Sequence, residues 1–150
     1  ADGHVFWPNG FTKGAVCLKI AEDRSATQVW QTDEDPECHL GDFVADGGYL
    51  YGHHDRAWKC FEIATGKELW ASGALGTGAV CYADGMLYLF QERRGIAALA
   101  TCSPRGLDMR GKVQVEGDGP SWAHPVVAGG RLYLRYGTTL YCYNVSARSR

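Results

Sequence analysis

Short runs of apolar residues, broken every few positions by glycine or charge, set the pattern of this chain. The clearest run begins at "GDFVA" (Gly41 to Ala45), passes the turn Asp46-Gly47-Gly48, and continues as "YLYGH". A short loop leads to "AWKCFEI" (Ala57 to Ile63), then the turn Ala64-Thr65-Gly66-Lys67, then "ELWAS". The last segment alternates apolar and polar residues, as a half-buried strand does. The first two are more uniformly apolar, as strands covered on both faces are. No segment keeps a helical period. The pattern predicts a unit of four short strands, a to d, joined by tight turns.

That unit recurs. Turn-plus-strand copies stand at "DGHVFW" (Asp2), "GGYLYG" (Gly47), "DGMLYL" (Asp84) and "GGRLYL" (Gly129). The second residue of each is Gly, at positions 3, 48, 85 and 130, so copies one and three, like copies two and four, lie 82 residues apart. Ala57 to Ile63 then falls on Thr139 to Val145 without a gap. Gly14 to Leu18 falls on Gly95 to Leu99, which places Ala98 at the position of Cys17. Four strands in roughly 40 residues is the signature of a β-propeller blade. The expected fold is all-β: three and a half to four such blades, over residues 1–37, 38–75, 76–119 and 120–150. The first blade starts at strand b and the fourth stops at strand c, so the expected object is part or half of a larger propeller.

The second unit carries a family pattern in Gly48, Leu50, Tyr51, Cys60, Thr65, Gly66, Lys67, Leu69 and Trp70. It resembles the PQQ-like (pyrroloquinoline-quinone-type) propeller repeat. The resemblance covers nearly the whole chain and is specific for blade type, not for activity. It implies that Trp30 and Trp70, on strand d, dock one blade against the next. The third unit departs from it, because "GKVQVEG" has no Trp. The family includes quinone-dependent dehydrogenases, assembly scaffolds of the outer membrane and other exported proteins, so the resemblance implies a periplasmic or exported setting.

Composition narrows the function classes. Fifteen basic residues against 17 acidic ones leave a net charge of -2, which gives no electrostatic case for nucleic acid or an anionic membrane. No apolar run is long enough to span a bilayer. The opening "ADGHVFWPNG" has neither the basic nor the apolar region of a signal peptide. Twenty Gly, eight Tyr and five Trp favour strands and tight turns.

The six cysteines form no C-x-x-C pair, which removes zinc-ribbon and haem-attachment readings. Cys17, Cys60 and Cys142 share one register of strand c, where the third unit has Ala98. A position that takes Cys or Ala is expected to be a small buried packing site. Equivalent strands of different blades lie too far apart for a disulfide. Cys38, Cys81 and Cys102 are not placed by the repeat, and a disulfide among them stays open.

The densest cluster of candidate chemistry is "GHHDR" (Gly52 to Arg56). Adjacent His53 and His54 would point to opposite faces of a strand, which suits a metal ion poorly. No metal site is therefore expected. The segment reads as an exposed loop between strands b and c, with counterparts at Asn9 to Lys13, Gln91 to Gly95 and Tyr136-Gly137. Such loops line one end of a propeller, where partners bind. The candidate binding residues are His53, His54, Asp55, Arg93 and Arg94; no catalytic residue is assigned. "GALGTGA" (Gly73 to Ala79) meets no nucleotide-loop pattern and has no helix after it, and no G-x-S-x-G elbow occurs.

These readings point to a non-catalytic scaffold that presents loops to a protein partner, or to a second copy completing the propeller, with no cofactor. The alternative is a fragment of a PQQ-dependent quinoprotein dehydrogenase. The resemblance would then imply PQQ and calcium beside a vicinal Cys-Cys disulfide, and no adjacent Cys pair occurs in this chain.

Overall fold

The computed structural model describes residues 3–8, 14–32, 43–54 and 56–146. Among these there is no helix. The strands form four antiparallel sheets in which neighbours in sequence are neighbours in space. The first sheet holds β1 (His4–Pro8), β2 (Ala15–Ile20) and β3 (Ala26–Thr32). The second holds β4 (Phe43–Asp46), β5 (Tyr49–His54), β6 (Ala57–Glu62) and β7 (Glu68–Ser72). The third holds β8 (Gly78–Ala83), β9 (Met86–Gln91), β10 (Ile96–Thr101) and β11 (Asp108–Gln114). The fourth holds β12 (Val126–Ala128), β13 (Arg131–Tyr136) and β14 (Thr139–Asn144). Each is a blade-like meander. Among the described residues no helix is long and apolar enough to cross a membrane.

The turns explain the meanders. Between β4 and β5, Gly47 and Gly48 have φ of 55° and 85°; between β8 and β9, Asp84 and Gly85 have 52° and 74°. Gly129 and Gly130 do the same between β12 and β13. Two consecutive positive φ values make the turn whose twist matches the right-handed twist of the flanking strands.

One hydrogen bond then fixes the register in all four sheets. The N–H of Ile20, Ile63, Cys102 and Val145 donates to the carbonyl of Gly3, Gly48, Gly85 and Gly130 respectively, at 2.7 to 3.0 Å. The residue three beyond each glycine therefore faces an equivalent partner: Phe6 with Cys17, Tyr51 with Cys60, Tyr88 with Leu99, Tyr133 with Cys142. This corrects the sequence alignment, because the third counterpart of the cysteines is Leu99, not Ala98. Aligning on the loop glycines Gly14 and Gly95 had shifted the strand by one residue, whereas strand pairing follows the hairpin hydrogen bond.

A second correction concerns Cys142. Cys17 and Cys60 are fully buried, opposite Trp30 and Trp70 of the next strand. Cys142 is exposed. Among the described residues no strand lies on the outer side of β14, so nothing takes the place that the Trp strand holds in the other two sheets.

The chain divides into two compact units, Ala1–Leu75 with Ser103–Gly106, and Gly76–Cys102 with Leu107–Arg150. In the first, Phe6, Cys17 and Trp30 pack against Phe43, Leu50, Phe61 and Ile63. The ring of Phe6 meets Phe43 edge-on with centroids 4.9 Å apart. The indole N–H of Trp30 donates to the Ile63 carbonyl at 2.7 Å. The second unit has its own core of Phe90, Ala97, Val115, Leu132, Leu134 and Tyr136.

Candidate functional site

The candidate histidines are not on a loop. β5 runs one residue further than the expected strand "YLYGH", so His53 and His54 are its last residues. They do face opposite sides. His53 is buried against Trp58, its cross-strand partner, with ring centroids 5.3 Å apart in a T-shaped pair. His54 is half-buried and meets Phe61 edge-on at 5.9 Å. These are packed aromatic side chains, so the expectation of an exposed loop is corrected for both. Asp55 lies outside the described residues. Tyr136, named as part of the counterpart loop, is likewise the buried last residue of β13.

Arg93 and Arg94 are exposed in the turn between β9 and β10. That turn is tied down on several sides within its unit. The N–H of Glu92 donates to the Thr77 carbonyl at 2.9 Å, and the N–H of Ser121 donates to the Glu92 carbonyl at 2.7 Å. The phenol of Tyr136 donates to the Arg93 carbonyl at 2.9 Å. The indole of the largely exposed Trp122 donates to Glu92 Oε1 at 3.0 Å. Gly95 closes the turn with φ of 61°, and a Cβ there would fall 2.5 Å from the Val115 carbonyl oxygen. The two arginines thus stand on a rigid support. The repeat gave no signal for Ser121 or Trp122, because "PSWAHP" has no counterpart in the other units. The four described candidates divide between the units, His53 and His54 in the first and Arg93 and Arg94 in the second.

Among the described residues no group of three or more His, Cys, Asp or Glu side chains converges for a metal ion. Burial pushes the thiols of Cys17 and Cys81 above their ordinary value of 9.0. Both stay protonated at neutral pH, where a thiol is a poor nucleophile.

Two sheet faces stand out instead. In the first sheet Val5 and Trp7 project from the face opposite Phe6, and Trp7 is 64% exposed. In the fourth sheet Val126, Leu140 and Cys142 share the face opposite Leu132 and Leu134, and Leu140 is 64% exposed. The equivalent positions in the second sheet are closed. Leu50, in the place of Val5, and Trp58, in the place of Leu140, are each 2% exposed. The same register positions that form core in one sheet are open apolar surface in the other two.

No protein-family model matches the chain, and no curated protein matches it.

Proposed function

We propose that this chain is a non-catalytic β-propeller scaffold, and that a second copy of the chain covers its two open apolar faces. The observation that carries the reading is the contrast between Leu140 and Trp58, one exposed and one buried at equivalent positions. A contiguous apolar sheet face is a docking surface more often than a free one. Inside the first unit, the Phe6 face of one blade packs on the Leu50 face of the next. Leu140 and Cys142 lie on the face equivalent to that of Phe6, and Val5 lies on the face equivalent to that of Leu50. The two faces therefore match each other across copies. Such pairing is head-to-tail, and it closes into a ring when the rotation allows. The resemblance of the repeat to PQQ-like blades supports the propeller part of this reading, and Arg93 and Arg94 would then be presented to a protein partner from a fixed turn.

Light scattering on a size-exclusion column tests this. The expected result is a single species at twice 16.4 kDa. Trp7→Lys or Leu140→Lys should each return it to the monomer mass without loss of fold, because both side chains are exposed in the single chain. A well-folded monomer for the unaltered chain would overturn the self-pairing.

A further inference from the structure

The c–d strand pairs carry one register shift each, after Cys17, after Cys60 and after Leu99. The residue facing that position on strand d is Trp30 in the first sheet and Trp70 in the second. In the third sheet it is Gly111, opposite Leu99. The docking tryptophan is therefore replaced by a residue with no side chain.

Space opens where the indole would be. In the first unit Trp30 fills the cleft between two stacked sheets so closely that a Cβ on Gly66 would fall 2.8 Å from its ring. In the second unit a Cβ on Gly111 would meet nothing within 4 Å. A cleft of about 310 Å³ lies there, with Tyr88, Leu99 and Gly111 on one wall and Pro125, Leu132 and Val145 on the other. These six take the places of Phe6, Cys17 and Trp30, facing Phe43, Leu50 and Ile63, in the first unit. Burial holds the Tyr88 phenol above its ordinary value, with Asp84 and Cys81 adding to the effect, as befits an apolar wall.

We propose that this cleft binds a small planar aromatic molecule of the indole class. An apolar cavity of ~150 Å³ is enough to hold benzene, so the larger cleft accommodates a bicyclic ring. The chain supplies the precedent, since its own indole occupies the equivalent cleft. The precedent extends to the polar contact. Trp30 gives its N–H to the carbonyl of Ile63, and Val145, which lines the open cleft, holds the place of Ile63 in the repeat. A ligand with one ring N–H would find an acceptor at the same position. The site lies within one unit and does not depend on self-association.

Indole itself is the probe. Titrated into the whole chain, it should produce saturable shifts of the Leu99, Leu132 and Val145 methyl resonances. Gly111→Trp should place a side chain in the cleft and weaken indole binding at least tenfold. The backbone permits that change, because Gly111 is not in the left-handed region. Absence of saturable shifts at these methyls in the unaltered chain would overturn the proposal. So would unchanged indole affinity in a folded Gly111→Trp variant. If that variant does not fold, the methyl shifts of the unaltered chain decide by themselves.

Discussion

Trp30 and Gly111 occupy the same position in two stacked sheet pairs, one in each compact unit. Around Trp30 the cleft is closed, with Phe6, Phe43, Phe61 and Ile63 in contact with the indole or its neighbours. Around Gly111 it is open. The hairpin hydrogen bonds and the strand register are the same in both. The difference teaches that the register of this repeat is set by the backbone at the turns, while the filling of each cleft is a separate matter of side chains. A blade can lose its docking tryptophan and keep its pairing. What it loses is the packing between blades, and what it gains is a place for something else.

The largest expected effects come from emptying the filled positions. Trp30→Ala should destabilise its unit by about 3 to 5 kcal/mol, since it removes a packed indole and its bond to the Ile63 carbonyl. Trp70→Ala should cost about 3 kcal/mol. Its indole donates to the Ser103 carbonyl at 3.0 Å and lies against Tyr51. Urea unfolding would measure both, and a loss under ~1 kcal/mol at either site would place that tryptophan on the surface.

A change on the opposite wall sharpens the comparison. Gly66→Ala should cost about 2 kcal/mol, because φ is 72° and the new methyl would press on Trp30. Made on a Trp30→Ala background, it should cost measurably less, as the clash disappears. A double-mutant cycle reads this coupling, and strict additivity would refute the contact.

A smaller effect of opposite sign is expected in the open cleft. Gly111→Ala should stabilise by about 0.5 to 1 kcal/mol, through lower chain entropy at a strand position with free space. A destabilisation in the urea midpoint would mean that Gly111 is sterically required.

The smallest effect is an alkaline slope. The folded-state pKa values of Cys81 and Tyr88 are raised, chiefly by burial. The unfolded chain therefore releases these protons first. Their contribution to stability is complete below pH ~9 and declines as pH rises through the folded values. Cys81→Ala should flatten the first part of that decline in unfolding curves recorded from about pH 8 upward. An unchanged slope would mean that Cys81 is not held in an apolar setting.

Much of this fold was legible in the sequence because the repeat carries it. The segment "ELWAS" is β7, and the Asp-Gly and Gly-Gly pairs mark the tight turns. The legible signal was local, namely turn chemistry and strand alternation. What depends on neighbours was not legible. Ala98 took the place of Leu99 because glycines in loops of unequal length align well without marking equivalent strand positions. His53 and His54 read as loop because they are polar, yet Trp58 and Phe61 across the strand supply aromatic faces that bury them. Cys142 read as core because its sequence neighbours repeat those of Cys60, but burial is conferred by the strand beside it. The Glu92, Ser121 and Trp122 support of the arginine turn joins segments with no repeat between them. The missing Trp of the third unit was visible as a gap in the pattern. That the gap is an open cleft follows only from the positions of Pro125, Leu132 and Val145.

The most direct measurement is the thermal midpoint of Trp30→Gly, with and without millimolar indole, beside the unaltered chain. The account predicts a lower midpoint for the variant and a rise on adding indole that exceeds the rise in the unaltered chain. A second indole-shaped cleft would then have been made at the position equivalent to Gly111. An equal response to indole in both proteins would contradict the equivalence of the two sites.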